Sequence, residues 1–167
     1  MIIREAKPDD AAQLITYIQR LDAEPDSMIP RAPGEFQFTV EQERKLLAEY
    51  LAADNSAYFV AEVEGRIVGI LSCDGGRRQA TRHNASFGMS VVSEERNNGI
   101  GTALLSHLIK WAKDTGILSR LELQVYAHNA PAIHLYRKFD FIEEGKRQSA
   151  YFQHGKFIDG LLMARKL

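Results

Sequence analysis

Residues 96–102 read Arg-Asn-Asn-Gly-Ile-Gly-Thr and join an extended run, 87–92, to a strongly helical one, 103–113. A strand that turns through glycines into a helix presents backbone N–H groups without helical partners, together with the positive end of the helix dipole. Gly99 and Gly101 let the backbone come close to a ligand, because neither carries a Cβ. Arg96 adds a charged fork beside them. The stretch therefore predicts a strand–turn–helix unit that binds a pyrophosphate.

The spacing of the glycines distinguishes between phosphate-binding motifs. A P-loop is excluded, because no Gly-Lys-Ser/Thr follows at the required distance. The dinucleotide fingerprint needs a third glycine three residues after Gly101, and Leu104 stands there. The remaining pattern, Arg-x-x-Gly-x-Gly, resembles the coenzyme A pyrophosphate loop of the GNAT superfamily of N-acetyltransferases. An ordinary glycine-rich helix entry has the same appearance, so a second motif is needed to choose between them.

The second motif follows about 30 residues later, after a strand predicted over 121–126 from its alternating apolar and polar residues. Residues 129–141 read Asn-Ala-Pro-Ala-Ile-His-Leu-Tyr-Arg-Lys-Phe-Asp-Phe. They resemble the GNAT segment Asn-x-x-Ala-x-x-Leu-Tyr-x-x-x-Gly-Phe, with matches at Asn129, Ala132, Leu135, Tyr136 and Phe141. Asp140 replaces the usual glycine, and aspartate also adopts left-handed geometry at a helix end. With both motifs in this order, the resemblance covers about residues 58–165.

Hydrophobic periodicity and turn residues predict the remaining elements within one domain, 1–167. Thr39, with Gln42 three residues later, is typical of a capping box that begins a helix. We expect strands at 2–6, 57–63, 66–73, 87–92, 121–126, 142–151 and 157–164, helices at 11–21, 39–53, 99–115 and from 129, a loop at 23–34, and a polar turn with a strand edge at 74–83. The predicted fold class is α/β: a GNAT-like mixed, mainly antiparallel sheet with helices on both faces and a splayed strand pair that forms the cofactor cleft.

Composition narrows the possible partners and location. A net charge of −1 argues against electrostatically driven binding to nucleic acid or to an acidic membrane surface. Cys73 is the single cysteine, which suits a reducing compartment. There is no apolar run of membrane-spanning length and no signal-peptide pattern, so we expect a cytoplasmic enzyme. No metal is expected, because metal-ligand spacing is missing among the five histidines, His83, His107, His128, His134 and His154.

The resemblance implies acetyl-coenzyme A as the co-substrate, with its pantetheine arm lying along the edge of the 87–92 strand. Met89, Ser90 and Val91 would supply backbone groups to the pantetheine amides and to the thioester carbonyl, where an N–H would act as an oxyanion hole. Asn129 would hydrogen-bond the pantetheine arm, and Lys138 could reach the ribose 3′-phosphate. The predicted cofactor-binding residues are therefore Met89, Ser90, Val91, Arg96, Asn98, Gly99, Ile100, Gly101, Thr102, Asn129, Ala132 and Lys138.

Two residues are candidates for catalysis. The Tyr136 hydroxyl is a suitable proton donor to a departing thiolate, because the ordinary pKa values of the two groups are similar; the alternative is a core aromatic on an amphipathic helix. Glu122 is the candidate base that takes a proton from the amine, and a solvated strand carboxylate or a water relay without a base remains open. By resemblance, enzymes that acetylate the N-terminus of a ribosomal protein carry a glutamate where Gln124 stands, and glutamine cannot accept that proton.

Three functions stay open at this point. The first is transfer of an acetyl group to a primary amine of a small molecule or amino acid. It is favoured by a C-terminal Phe157-x-Asp159 pattern, which is similar to the ending of GNAT enzymes that acetylate free amino acids, amino-acid-like antibiotics or ribosomal protein termini. The second is acetylation of a protein N-terminus or lysine, and the third is a non-catalytic coenzyme A-binding module. We expect the segments 23–38 and 149–159 to form the acceptor pocket. A homodimer is possible, since dimers are common in the family.

Overall fold

The computed structural model describes residues 1–25 and 27–167, so residue 26 of the predicted 23–34 loop lies outside it. Its strands are β1 Ile2–Glu5, β2 Ala57–Val63, β3 Arg66–Gly75, β4 Asn84–Val91, β5 Arg120–Tyr126, β6 Ile142–Gln153 and β7 Lys156–Lys166. Its helices are α1 Ala11–Asp22, α2 Val40–Ala52, α3 Ile100–Asp114 and α4 Ala130–Lys138. The predicted order of elements is confirmed.

All seven strands belong to one sheet, in the order β1-β2-β3-β4-β5-β7-β6. Every neighbouring pair is antiparallel except β4 and β5, which are parallel. Parallel neighbours need a crossover connection, and α3 provides it. The predicted mixed, mainly antiparallel sheet is therefore confirmed.

Helices cover both faces of this sheet, as predicted. Successive strand residues point to opposite faces: the Tyr58 ring lies 5.4 Å from that of Tyr50 on α2, whereas the ring of Phe59 lies 5.7 Å from that of Trp111 on α3. On the α2 side, the Tyr17 hydroxyl of α1 is hydrogen-bonded to Ser90 Oγ at 3.0 Å. The result is a three-layer domain, with α1 and α2 on one face and α3 and α4 on the other.

Local sequence signals account for several turns and helix ends. Glu64 and Gly65 both adopt positive φ in the β2–β3 hairpin turn, the geometry that such tight turns require. Asp140 takes the left-handed conformation expected of it, with φ 59°. The Phe141 N–H then donates to the Tyr136 carbonyl at 3.1 Å, which closes the end of α4.

The predicted boundaries around residues 74–86 need correction. We expected a polar turn from residue 74 and a strand from residue 87, but β3 continues to Gly75 and β4 already begins at Asn84. Asp74 pairs with Ser86, and Gly75 with Ala85. The polar residues in this stretch led us to predict a turn. Pairing between β3 and β4 depends on main-chain hydrogen bonds, which polar residues form equally well.

The parallel pair β4–β5 is short. Only Asn84–Ser86 of β4 pairs with Arg120–Glu122 of β5. Beyond this point the two strands separate, while β4 stays paired with β3 and β5 with β7. The sheet therefore opens at its centre, at the place where the sequence predicted a splayed pair.

The capping box at the start of α2 should contribute measurably to stability. The Gln42 N–H donates to Thr39 Oγ1 at 3.2 Å, and the Thr39 N–H donates to Gln42 Oε1 at 2.8 Å. Thr39→Ala should lower the free energy of unfolding by about 1 kcal/mol in a urea titration. Thr39→Ser keeps the hydroxyl and should remain within a few tenths of wild type. Equal losses in the two variants would show that the side-chain cap is not responsible.

Candidate functional site

A cleft of about 770 Å³ occupies the gap between β4 and β5 and extends over both faces of the sheet. We call the part beside α3 and α4 the α3–α4 arm; its wall includes Arg96, Asn97, Gly99, Ile100, Gly101, Thr102, Asn129, Ala132, Leu135 and Tyr136. We call the part beneath α1 and α2 the α1–α2 arm; its wall includes Ile18, Leu21, Met28, Ile29, Arg31, Phe36, Glu43, Leu46, Tyr50, Tyr58, Ser72, Tyr126 and Tyr151. The strand gap is where the two arms meet.

The N-terminus of α3 supplies hydrogen-bond donors to the α3–α4 arm. Gly99 is its N-cap, has φ 79° and provides no side-chain cap. The first intrahelical bond runs from the Ala103 N–H to the Gly99 carbonyl at 3.0 Å. The N–H groups of residues 100–102 precede it and have no helical acceptor. Together with the helix dipole they form a site for an anion.

Gly101 shows how closely the backbone packs at this site. A Cβ built on it would lie 3.2 Å from Leu135 Cδ2 and 3.6 Å from Met89 Cε. The first turn of α3 therefore packs closely on α4 and β4, and a Cβ at position 101 would require Leu135 to shift by a few tenths of an ångström. The cradle of amide groups and the absence of side chains at 99 and 101 fit the pyrophosphate group that the sequence predicted.

The main-chain N–H and C=O groups of successive β4 residues point alternately towards β3 and towards the gap. The Val92 N–H donates to the Val68 carbonyl at 3.1 Å, and the Gly76 N–H donates to the Asn84 carbonyl at 2.9 Å. Hydrogen-bonded pairs alternate along an antiparallel ladder, so the main-chain groups of Ser90 point towards β3. Those of Met89 and Val91 point towards the gap. Of the three predicted backbone contributors, Ser90 instead offers its side chain, which is bonded to Tyr17.

Tyr136 lies where the two arms meet and is held firmly. Its side chain is 6% exposed, and its ring packs edge-on against those of Phe87 and Phe141, with centroids 5.9 and 6.0 Å away. Burial raises the pKa of the hydroxyl to about 12. The hydroxyl makes no hydrogen bond within the described part of the chain. It is therefore a protonated donor that is free to act on a group in the cleft.

The other predicted cofactor residues divide into two groups. Asn129 caps α4, with its Oδ1 accepting from the Ala132 N–H at 3.2 Å, and both residues line the cleft. Asn98 and Lys138 are exposed and lie outside the cleft wall. Asn97, with φ 65°, lines the cleft at the position expected for Asn98.

Arg96 lines the cleft, but its guanidinium already has partners. Its Nε donates to the Val91 carbonyl at 3.0 Å, and its Nη2 pairs with the Glu24 carboxylate. Glu24 also accepts from the Ser93 N–H at 2.8 Å. Arg96 therefore ties the β4–α3 turn to the end of α1, a role that the sequence did not suggest because its partner is 72 positions away.

The structure does not bring Glu122 together with Tyr136. Glu122 is outside the cleft wall, its side chain is 39% exposed, and its carboxylate lies 3.3 Å from Arg120 Nη2. Glu144 pairs with the same guanidinium. Gln124 does line the cleft and accepts from Arg147 Nη1 at 2.9 Å. A carboxylate at the reacting centre is therefore not provided by β5.

The α1–α2 arm contains parts of both predicted acceptor segments. Met28, Ile29 and Phe36 come from the 23–38 segment, and Tyr151 comes from the 149–159 segment. Arg31 also lines this arm, where it makes a bidentate pair with Asp22, its Nη2 and Nε lying 2.7 and 2.9 Å from Oδ1 and Oδ2. The arm is thus mostly apolar and aromatic, with one neutralised ion pair in its wall.

Glu43 is the cleft residue that sequence reasoning missed. It is 1% exposed, and neither carboxylate oxygen has a hydrogen-bond partner within residues 1–25 and 27–167. Desolvation raises the pKa of this carboxyl. One signal could have found it: Glu43 shares a helix face with Leu46, Leu47 and Tyr50, so an acid stands on the apolar side of α2.

Two further findings concern only the residues that the structure describes. No group of three or more His, Cys, Asp or Glu residues is arranged to hold a metal ion. No helix is long and apolar enough to cross a membrane.

A sheet that splays at its centre, beside a helix whose first N–H groups have no helical acceptor, is the arrangement that the two sequence motifs predicted for an acetyltransferase. The Acetyltransferase (GNAT) family matches residues 22–141. The chain belongs to this family.

One solved structure shares the fold, and two sequence relatives have names that specify different acceptors. A GNAT-family acetyltransferase from Streptococcus pneumoniae is 34% identical, and its crystal structure superposes with a TM-score of 0.95 over 99% of this chain and 98% of that one. The L-amino acid N-acetyltransferase AaaT of Escherichia coli is 36% identical over 64% of this chain, and the match spans 65% of its own length, just under two thirds. An N-alpha-acetyltransferase of Sulfolobus acidocaldarius is 33% identical over 71% of this chain and 74% of its own.

The anion site at α3 can be tested with two glycines of the same geometry. Gly99 and Gly116 lie at opposite ends of α3, with φ 79° and 65°, and an added Cβ would meet nothing within 4 Å at either position. Alanine at each should cost about 1–2 kcal/mol of stability, because left-handed backbone is strained for it. Only Gly99→Ala should also weaken coenzyme A binding in calorimetry, by about tenfold, because the added Cβ would hinder the approach of the ligand to the amide groups. An unchanged affinity of Gly99→Ala for coenzyme A would show that the pyrophosphate does not bind at the N-terminus of α3.

Proposed function

We propose that this chain is an N-acetyltransferase that moves the acetyl group of acetyl-coenzyme A to a primary amine of a small molecule or amino acid. The observation that carries the proposal is the gap between β4 and β5. It connects an anion-binding helix end on one face of the sheet with a largely apolar chamber on the other. A donor and an acceptor can therefore reach the same point from opposite sides.

Donor binding rests on the α3–α4 arm. The N–H groups of residues 100–102 would hold the pyrophosphate, and Asn129 would hydrogen-bond the pantetheine arm. Met89 and Val91 would offer main-chain groups along the edge of β4, in the manner of an added strand. Acetyl-coenzyme A supplies an acyl group activated as a thioester.

Three features of the chain would promote the transfer. An N–H of β4 that faces the gap would stabilise the negative charge that develops on the carbonyl oxygen. Tyr136 would give its proton to the departing sulfur, since its raised pKa keeps the hydroxyl protonated through the physiological range. The apolar walls around the gap would exclude water and favour an uncharged amine.

We assign removal of the amine proton to a chain of water molecules. The competing proposal is that Glu122 acts as the general base. Glutamine at position 124 cannot act as a base. Glu122 would need to leave Arg120 to reach the gap. The relay is favoured because the two carboxylates in the cleft wall, Glu43 and Glu95, lie on α2 and in the β4–α3 turn and not on the strands that border the gap.

A small acceptor is favoured by the shape of the α1–α2 arm. The 28–36 segment and Tyr151 form its wall, so an extended protein chain would have to displace them. The Escherichia coli relative, whose name specifies L-amino acids, supports the same class.

Acetylation of a protein N-terminus is the second candidate. The archaeal relative named as an N-alpha-acetyltransferase favours it, at 33% identity over 71% of this chain. Thiol release from acetyl-coenzyme A, followed with a panel of free amino acids and amines beside peptides with free N-termini, separates the two. Turnover restricted to peptides would replace the first candidate by the second, and cofactor binding without turnover of any amine would favour a non-catalytic module.

Tyr136→Phe should lower kcat by about 100-fold, a typical worth of general acid catalysis, with little effect on the affinity for coenzyme A. The substitution removes one oxygen and leaves both ring contacts intact. Because the pKa of Tyr136 is raised to about 12, the proton is retained up to that pH, so wild-type kcat should not fall between neutral pH and about pH 10. Stopped assays across this range and calorimetric binding provide the measurements. An unchanged kcat in the variant would end the assignment of Tyr136 as the acid.

The base is tested by a matched pair of variants. Glu122 and Glu144 both pair with Arg120, and both are 39% exposed. If water takes the amine proton, Glu122→Gln and Glu144→Gln should lower kcat by the same small factor, since each removes one carboxylate from the same guanidinium. A loss of about 100-fold confined to Glu122→Gln, with a shift of the acidic limb of the pH profile, would instead identify Glu122 as the base.

A further inference from the structure

The α1–α2 arm contains a carboxylate that the proposed reaction does not use. Glu43 is buried, and neither of its oxygens accepts a hydrogen bond within the described residues. A buried carboxylate without a partner is costly, and it normally has a counter-ion or a ligand. Since Glu43 lies in the wall of the cleft, the missing partner can come from a molecule bound there.

The surroundings of Glu43 favour a cation as that partner. Arg31, the basic residue in the wall of this arm, is already neutralised by Asp22. Tyr50 donates its hydroxyl to Asp74 at 2.7 Å, which adds a second acid nearby. Tyr17 is also buried on this face of the sheet, and burial raises the pKa of its hydroxyl, so it stays neutral. The balance of charge around Glu43 is therefore negative.

Aromatic rings line the same space. The rings of Tyr50 and Tyr58 meet edge-on, with centroids 5.4 Å apart, and both line the cleft. Glu43 lines the same cleft, two helical turns before Tyr50 on one face of α2. A carboxylate beside aromatic faces binds an ammonium group well, through an ion pair and through cation–π attraction.

Glu43 lies well away from the reacting centre. It is on α2, which packs on β2, and β3 separates β2 from β4. Two strand spacings amount to about 10 Å. A general base must reach its proton directly or through one water. We therefore assign Glu43 to the far end of an acceptor and not to the base.

We propose that Glu43 binds a second cationic group of the acceptor, so that the preferred substrates are extended amines with two cationic nitrogens, such as long diamines or polyamines. The proposal rests on the proposed acetyltransferase function, because the reactive amine is taken to lie at the β4–β5 gap. One nitrogen is acetylated there, while the other stays charged and pairs with Glu43.

The test compares diamines with monoamines of equal chain length. Diaminobutane to diaminooctane are each paired with the corresponding alkylamine, butylamine to octylamine, and kcat/KM is measured from thiol release. Wild type should prefer the longer diamines over their monoamines by about tenfold or more, the effect of about 1.4 kcal/mol. Glu43→Gln should abolish this preference through KM, with kcat for the monoamines little changed.

Glu41→Gln is the matched control, because it removes the same charge from the same turn of α2 at an exposed position. It should keep the diamine preference. Equal kcat/KM for diamines and monoamines in wild type, or a preference that survives in Glu43→Gln, would overturn the proposal. The wild-type comparison holds even if Glu43→Gln fails to fold.

A separate measurement distinguishes failure of the proposed acetyltransferase function from failure of the cation site. If no amine is acetylated, binding of diaminooctane is followed by melting-temperature shift in wild type and in both variants. A shift that only Glu43→Gln loses would support the cation site without the reaction, whereas no shift in wild type would overturn the cation site as well.

Discussion

The incomplete pairing of β4 with β5 is the constraint on which the rest of the structure depends. Three residue pairs hold the two strands together, and their remaining main-chain groups would be costly to bury without partners. The rest of each strand is secured on its other side, β4 by β3 and β5 by β7. The opening is therefore stable without a ligand, and its unpaired strand edge is available to one. Both arms of the cleft exist because this one ladder stops early.

The two faces of the opening have different chemistry, and each follows from the helices that cover it. On one face, α3 begins with glycines and turns its free N–H groups to the cleft, which suits an anion. On the other face, α2 contributes an aromatic ring and the Glu43 carboxylate, which has no hydrogen-bond partner among the described residues; this combination suits a cation. Tyr136 stands between them with its proton firmly held. The face that suits an anion and the face that suits a cation therefore lie on opposite sides of one sheet.

Sequence reasoning succeeded where the signal is local. The glycines of the β4–α3 turn, the capping box of α2 and the left-handed Asp140 each depend on residues a few positions apart, and each is found as expected. It did not anticipate ion pairs between distant segments. Arg96 pairs with Glu24, 72 positions away, and Arg120, next to Glu122 on β5, also pairs with Glu144, 24 positions away. Glu43 was missed for a different reason, because a single acid on an apolar helix face looks like a surface residue until its burial is known.

The strand order also determines when this cleft can form during synthesis. β5 has three residue pairs with β4 and seven with β7, yet β7 is translated after β5, α4 and β6. Until residues 156–166 leave the ribosome, β5 is an almost unsupported strand with open hydrogen-bonding groups, the kind of edge that invites mispairing. One wall of the cleft is therefore assembled late, and a nascent chain released before this point would contain the phosphate-binding turn but no enclosed chamber behind it.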